Sequence, residues 1–184
     1  MKNKTYNIVL AGISAALIAV CAWIAIPVGA VPITLSTLGI FLILMSEGFK
    51  RGTAAIAVYL LLGLVGIPVF SNFKGGPAVL VGPTGGFLIG YIPMALVFAL
   101  LVKILRVKTM TGFKKILFNI LSAVCSEIVL YLFGCVWLML TSGNKDVMNV
   151  LSVCVLPFII PDIVKITVAS LVSQRLAKFI KQEE

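Results

Sequence analysis

Long apolar runs, broken by short polar or Gly/Pro-rich stretches, follow one another along the whole chain. A helix rises about 1.5 Å per residue, so crossing a hydrocarbon layer of about 30 Å takes roughly 20 apolar residues. The first run extends from about Asn7 to Ile26 and stops at Pro27. The second, about Ile33 to Met45, is short and ends before Glu47–Arg51; the third, about Thr53 to Ile67, closes with Gly66-Ile67-Pro68. A loop dense in Gly and Pro, Ser71 to Gly86, leads into the fourth, about Phe87 to Leu105, where Pro93 predicts a kink. A basic connector, Arg106 to Lys115, precedes the fifth, about Ile116 to Leu140, and the polar stretch Thr141 to Asn149 ends it. The sixth segment, Val150 to Ile180, is too long for one simple crossing and carries Pro157 and Pro161. It either kinks there or divides into a short outer piece and a helix starting near Pro161. The pattern predicts an all-α integral membrane bundle of six transmembrane helices, one domain over 1–184, without the internal repeat of many secondary transporters.

Composition agrees on the solvent. The 184 residues are 61% hydrophobic and 11% charged, with mean hydropathy +1.18, whereas soluble domains carry roughly 25% charged and 45–50% apolar residues. A chain this short cannot hide that excess in a water-soluble core. The net charge of +9 comes without a basic, aromatic-interleaved patch, which argues against nucleic acid. Basic residues sit instead at the ends of apolar runs. Lys2, Lys4, Lys50, Arg51, Lys103, Arg106, Lys108, Lys114, Lys115, Arg175, Lys178 and Lys181 share one side of a six-crossing chain, against Lys74 and Lys145 on the other. The positive-inside rule then places both termini in the cytoplasm. Lys2 and Lys4 before an apolar run resemble a signal peptide, but the run is long and leads into another, so it reads as a retained first helix. The outer side receives the loops Pro27–Pro32, Ser71–Gly86 and Thr141–Asn149, the first two suited by their Gly and Pro to cap a ligand or simply to turn.

Three ionisable residues remain inside apolar segments: Glu127, Asp162 and Lys165. Each is costly in hydrocarbon without a partner or a polar cavity. Asp162 and Lys165 share a helical face and can pair locally, either to prop the sixth helix or to line a polar binding site. If a helix starts at Pro161, its free N–H groups and positive dipole end also face that pocket. Glu127 shares a face with Tyr131 and Gly134, and can neutralise Lys165 or offer a ligand an acceptor; Tyr131 and Trp137 can wall a pocket. On the first run, Ala11 and Ala15, and likewise Gly12 and Ala16, form small-residue stripes suited to close helix packing or partner docking. Gly82-Pro83-Thr84-Gly85-Gly86 lacks the Gly-Lys-Ser/Thr ending of a nucleotide loop. His is absent, and Cys21, Cys125, Cys135 and Cys154 lie in apolar stretches without metal-ligand spacing, so neither a metal or cofactor site nor an enzyme is expected.

Several stretches together resemble the BioY family, the biotin-specific binding subunits (S components) of energy-coupling factor transporters. They are Val31–Gly39 (VPITLSTLG), Tyr59–Phe70 (YLLLGLVGIPVF), Gly82–Tyr91 (GPTGGFLIGY), Tyr131–Leu138 (YLFGCVWL) and Pro157–Lys165 (PFIIPDIVK), with Pro161 where a small residue is usual and Phe87 where Tyr is frequent. The resemblance implies a six-helix subunit of the bacterial plasma membrane that binds biotin from outside with high affinity. It also implies partnership with a membrane coupling protein (EcfT) and two cytoplasmic ABC-type ATPases. The family's last motif maps onto Asp162 and Lys165, and the docking stripe of related S components onto Ala11 and Ala15. A buried carboxylate such as Asp162 suits the two ureido N–H groups of biotin. Lys165 can serve the valerate carboxylate, the ureido carbonyl or Asp162 itself. Thr34, Thr84, Gly85, Tyr91, Tyr131 and Glu127 complete the expected contacts. The rivals are an ion- or proton-coupled permease using Glu127, Asp162 and Lys165 as a relay, and a purely structural subunit.

Overall fold

The computed structural model describes residues 2–27, 31–143 and 146–182, with the side chains of 2–4, 108 and 177–182 outside that description. The described chain is mostly helical. Helix α1 (Lys2–Trp23) leads into a small antiparallel ribbon of β1 (Ala25–Ile26) and β2 (Ile33–Thr34), followed by α2 (Ser36–Ser46) and α3 (Phe49–Val65). A 3₁₀ turn (Ser71–Phe73) and the short α4 (Pro77–Val81) connect to α5 (Gly85–Ile104). A second 3₁₀ turn (Val107–Thr109) precedes α6 (Gly112–Ser142), then α7 (Val147–Cys154) and α8 (Leu156–Gln182).

Within these elements, Thr5–Trp23, Gly85–Ile104, Gly112–Ser142 and Val147–Leu176 are four stretches long and apolar enough to cross a membrane. The 11-residue α2 is apolar but spans only about 17 Å at helical rise. The ribbon leads directly into its N-terminal end. Ala25 pairs with Thr34 and Ile26 with Ile33, and the Leu35 N–H donates to the carbonyls of Cys21 (3.2 Å) and Ile24 (3.3 Å). Non-helical backbone is tolerable at membrane depth only when its polar groups are paired within protein, and this ribbon meets that condition. Outward-facing residues such as Ile13, Val65, Leu140 and Ile160 leave large apolar surfaces exposed, as a lipid-facing bundle requires.

The main helix pairings are α5 with α6, α2 with α8 and α1 with α3. Two close approaches depend on glycine. A Cβ at Gly63 on α3 would collide with the Phe70 ring, and one at Gly134 on α6 with the Phe87 ring. Both rings are thereby seated against the helices, Phe70 edge-on to Tyr59 (centroids 5.5 Å apart) and Phe87 stacked on Phe158 (6.4 Å).

Two expectations change. The last segment is interrupted at Val155, not near Pro161: α8 begins at Leu156 and runs through Pro161. Pro157 falls in the first turn of α8, where its missing N–H removes no helical bond, so it starts the helix that the later proline was expected to start. Asp162 therefore lies inside α8, and no helix N-terminus sits beneath it. On α1, Ala11 (8% exposed) and Ala15 (1%) are buried in this chain's own core, beside Ser14, whose hydroxyl donates to Glu47 Oε1 at 2.5 Å. They are not available to a partner; Gly12 and Ala16 are the exposed small pair. Of the basic residues counted for sidedness, Lys145 and the side chains of Lys2, Lys4, Lys108, Lys178 and Lys181 lie outside the described residues, as do Val28–Ala30 of the first outer loop.

Substituting Gly63 or Gly134 by Val should destabilise the bundle by about 1–3 kcal/mol, the usual cost of overpacking. Thermal unfolding of the purified protein in a mild detergent checks this, with Gly12→Val, which faces open space, as the neutral control.

Candidate ligand-binding site

At the end of the bundle that carries the ribbon, α4 and α7, a cavity of about 60 Å³ is lined by side chains from most of the helices. Its polar centre is built around Lys165 and Asp162 on α8, one helical turn apart and ion-paired, each about 6% exposed at the side chain. Lys165 Nζ also donates to the Thr34 carbonyl (2.8 Å) and to Thr37 Oγ1 (3.1 Å). An ammonium has three N–H donors, and here three partners take them. The Tyr131 hydroxyl on α6 donates to Asp162 Oδ2 at 2.5 Å. Thr34 Oγ1 and Ser36 Oγ share a further hydrogen bond of 2.5 Å, which fixes the ribbon where it enters α2. One ion pair thus ties together α8, α6, α2 and β2.

Glu127 on α6 is the third buried charge-bearing group, 3% exposed and facing the same cavity. Neither of its oxygens has a hydrogen-bond partner among the described residues. It does not pair with Lys165, whose donors are already taken. The cavity therefore contains two carboxyls against one ammonium and has acceptor capacity to spare. A carboxylate offers about four lone-pair positions, of which Asp162 uses two in the contacts described, while both oxygens of the Glu127 carboxyl stay without a partner among the described residues.

The remaining walls are aromatic and aliphatic: Phe70, Phe87, Leu88, Leu130 and Phe158, with Tyr59 and Tyr91 at the buried side. Thr84 and Ser71 bring hydroxyls from the connecting segments. Those segments are held by indole N–H groups. Trp137 Nε1 donates to the Gly82 carbonyl (2.9 Å) and Trp23 Nε1 to the Pro68 carbonyl (2.8 Å), while Trp23 stacks on Phe73 at 5.0 Å. Asn72 and Phe73 both adopt positive φ, 57° and 55°, a conformation that costs non-glycine residues energy and that the Trp23 stack helps to hold.

Of the residues singled out from sequence, Thr34, Thr84, Tyr91, Glu127, Tyr131, Asp162 and Lys165 converge on this cavity. Gly85 does not line it: its α-carbon packs against the Leu80 carbonyl and the Trp137 ring, leaving no room for a side chain. Trp137 is likewise a strut for the loop and not a wall. Thr37, Ser36, Tyr59, Phe70, Ser71, Phe87 and Phe158 line the cavity without having been singled out as contacts. Thr37 was within reach of sequence reasoning, since it lies three residues beyond Thr34 in the apolar run expected from Ile33 to Met45. The long-range arrival of Phe70 and Ser71 left no periodic signal.

The BioY family model matches residues 1–182. The chain belongs to the BioY family. A protein of Thermotoga maritima described as biotin transporter BioY is 43% identical over 174 residues, covering 94% of this chain and 96% of its own length. A probable biotin transporter BioY of Pyrococcus horikoshii is 37% identical, covering 94% and 97%. A crystal structure of the S component for biotin from an ECF-type ABC transporter superposes with TM-score 0.83 at 28% identity, over 96% of this chain and 93% of that one. These likenesses place the chain among multi-pass membrane transport proteins.

Lys165→Met should destabilise the protein strongly, by about 3–5 kcal/mol, because it leaves buried carboxyls uncompensated. Asp162→Asn combined with Lys165→Met should recover a large part of that loss. Unfolding midpoints of the two variants beside the wild type measure the difference.

Proposed function

We propose that this chain is the biotin-binding subunit of an ATP-driven energy-coupling importer. In this reading α1, α2, α3, α5, α6 and α8 make six crossings and leave both termini in the cytoplasm. The observation that carries the ligand assignment is the surplus of buried acceptor positions on Asp162 and Glu127 inside an otherwise apolar cavity. A ureido group supplies two N–H donors on one edge, and charge-assisted bonds to a buried carboxylate are the strong kind. The Phe70, Phe87 and Phe158 rings suit the thioether ring beyond it.

Lys165 acts as an organiser in this scheme. Its three donors hold Asp162, the Thr34 carbonyl and Thr37, so none is spare for the valerate carboxylate at the far end of the ligand. That tail points toward the connecting segments, where Ser71 and Thr84 offer hydroxyls. A bicyclic ligand needs more room than about 60 Å³, so side chains of the outer segments yield on entry.

Nothing in the chain resembles an ATPase motif, and the motor is assigned to partner chains: an EcfT-type membrane protein and two ABC-type ATPases. With Ala11 and Ala15 buried, the part of α1 left for docking is the exposed face bearing Gly12, Ile13, Ala16 and Leu17.

Asp162→Asn should weaken biotin binding by about 10- to 100-fold, the loss expected for a hydrogen bond to a charged acceptor; titration of the purified protein measures it, and unchanged affinity would remove Asp162 from the contact set. Gly12→Leu with Ala16→Leu should reduce co-purification with the coupling protein while leaving biotin affinity intact. Uptake should cease without an ATPase partner and persist when the proton gradient is collapsed at constant ATP. The opposite pair of results would favour the ion-coupled permease.

A further inference from the structure

A second cavity lies at the opposite end of the bundle from the ligand site. It is a groove of about 630 Å³ between the α2–α3 turn and the last turns of α5, floored by Leu44, Phe49, Leu96, Phe98 and Leu100. Lys103 and Arg106 stand at its rim, both exposed. Arg106 has φ 50°, and its carbonyl is held by the Thr109 hydroxyl (2.8 Å) and Thr109 N–H (3.0 Å), which pins the turn that carries it.

The two cations have no carboxylate partner among the described residues. Of the described acids, Glu127 and Asp162 belong to the ligand cavity and Asp146 caps α7. Glu47, the acid nearest the groove in sequence, accepts from Ser14 through Oε1, and its Oε2 is buried without a hydrogen-bond partner among the described residues, paired with neither rim cation. An apolar trough of this size with an uncompensated two-cation rim, on the surface of a membrane protein, is complementary to one kind of occupant. It matches a molecule with an acyl chain and an anionic head. Basic pockets between helix ends recognise such headgroups electrostatically.

We propose that this groove is a binding site for one anionic phospholipid, its phosphate between Lys103 and Arg106 and an acyl chain along Leu96, Phe98 and Phe49. The lipid would brace the α2–α3 turn against α5, a pair of elements that the ligand site does not join at this end. The site is independent of biotin recognition, and the proposal can fail while the ligand assignment stands.

The test uses full-length protein, delipidated in a neutral detergent and titrated with phosphatidylglycerol, phosphatidylcholine of the same acyl chains, or inorganic phosphate. Thermal midpoint and lipid retention in native mass spectrometry are read together. Phosphatidylglycerol should raise the midpoint by several degrees and stay bound at one per chain, with neither control doing so. Lys103→Gln/Arg106→Gln should lose most of that shift, and so should Ala99→Phe, which fills the groove without altering charge. Lys114→Gln/Lys115→Gln, which removes the same charge from the start of α6, should keep it, and biotin affinity should be unchanged in all three. Equal effects of the two lipids, retention of the shift in Ala99→Phe, or equal losses in the two charge variants would overturn the proposal.

Discussion

A lone ammonium in hydrocarbon is held only if every N–H finds an acceptor, and Lys165 meets that demand with groups from different parts of the chain. Asp162 lies one turn before it on the same helix, whereas Thr34 and Thr37 come from the other end of the sequence. Because Tyr131 closes on the same carboxylate from α6, the pairing determines how α2, α6 and α8 sit relative to one another. In water such a pair contributes little; away from water, breaking it strands a charge. The same arrangement leaves the carboxyls facing a cavity with unused lone pairs. On the reading proposed above, structural necessity and ligand recognition meet in a single cluster.

Much of this was legible from residue pattern. Ionisable residues are expensive in apolar segments, so Glu127, Asp162 and Lys165 stood out at once, and all three face one cavity. Tyr131 followed from its four-residue spacing to Glu127. What failed was local geometry that depends on tertiary packing. A helix opening at Pro161 was one of two readings of the last segment, because proline favours that position, but Pro157 already serves that purpose. The small-residue stripes of α1 were both visible, yet spacing alone does not say which faces inward. Burial of Ser14 against Glu47 decides it, and that contact joins residues far apart in sequence. Gly85 was expected among the ligand contacts, whereas it is small because Leu80 and Trp137 crowd it.

The half of the molecule that carries the ribbon illustrates how non-helical backbone survives in a lipid setting. The ribbon pairs its own amides, Leu35 returns a hydrogen bond to the end of α1, and indole N–H groups of Trp23 and Trp137 take up loop carbonyls. Each device spares a polar group from hydrocarbon. Together they bring Ser71 and Thr84 over the cavity, where polar groups are needed and helices alone would present only side chains at fixed pitch. Gly63 and Gly134 serve the same end from the helical side by making room for the rings that form the walls.

The shortness of α2 has a consequence for transit. Thr34 and Thr37 mark its upper end, and the chain reaches the basic end of the bundle just past Ser46, about 17 Å further on. On the six-crossing reading proposed above, and against a hydrocarbon thickness of about 30 Å, a molecule resting on these threonines would have covered nearly half the way through. What would then remain is a barrier roughly one short helix deep, a far smaller excursion than carrying cargo across the full width of the bilayer.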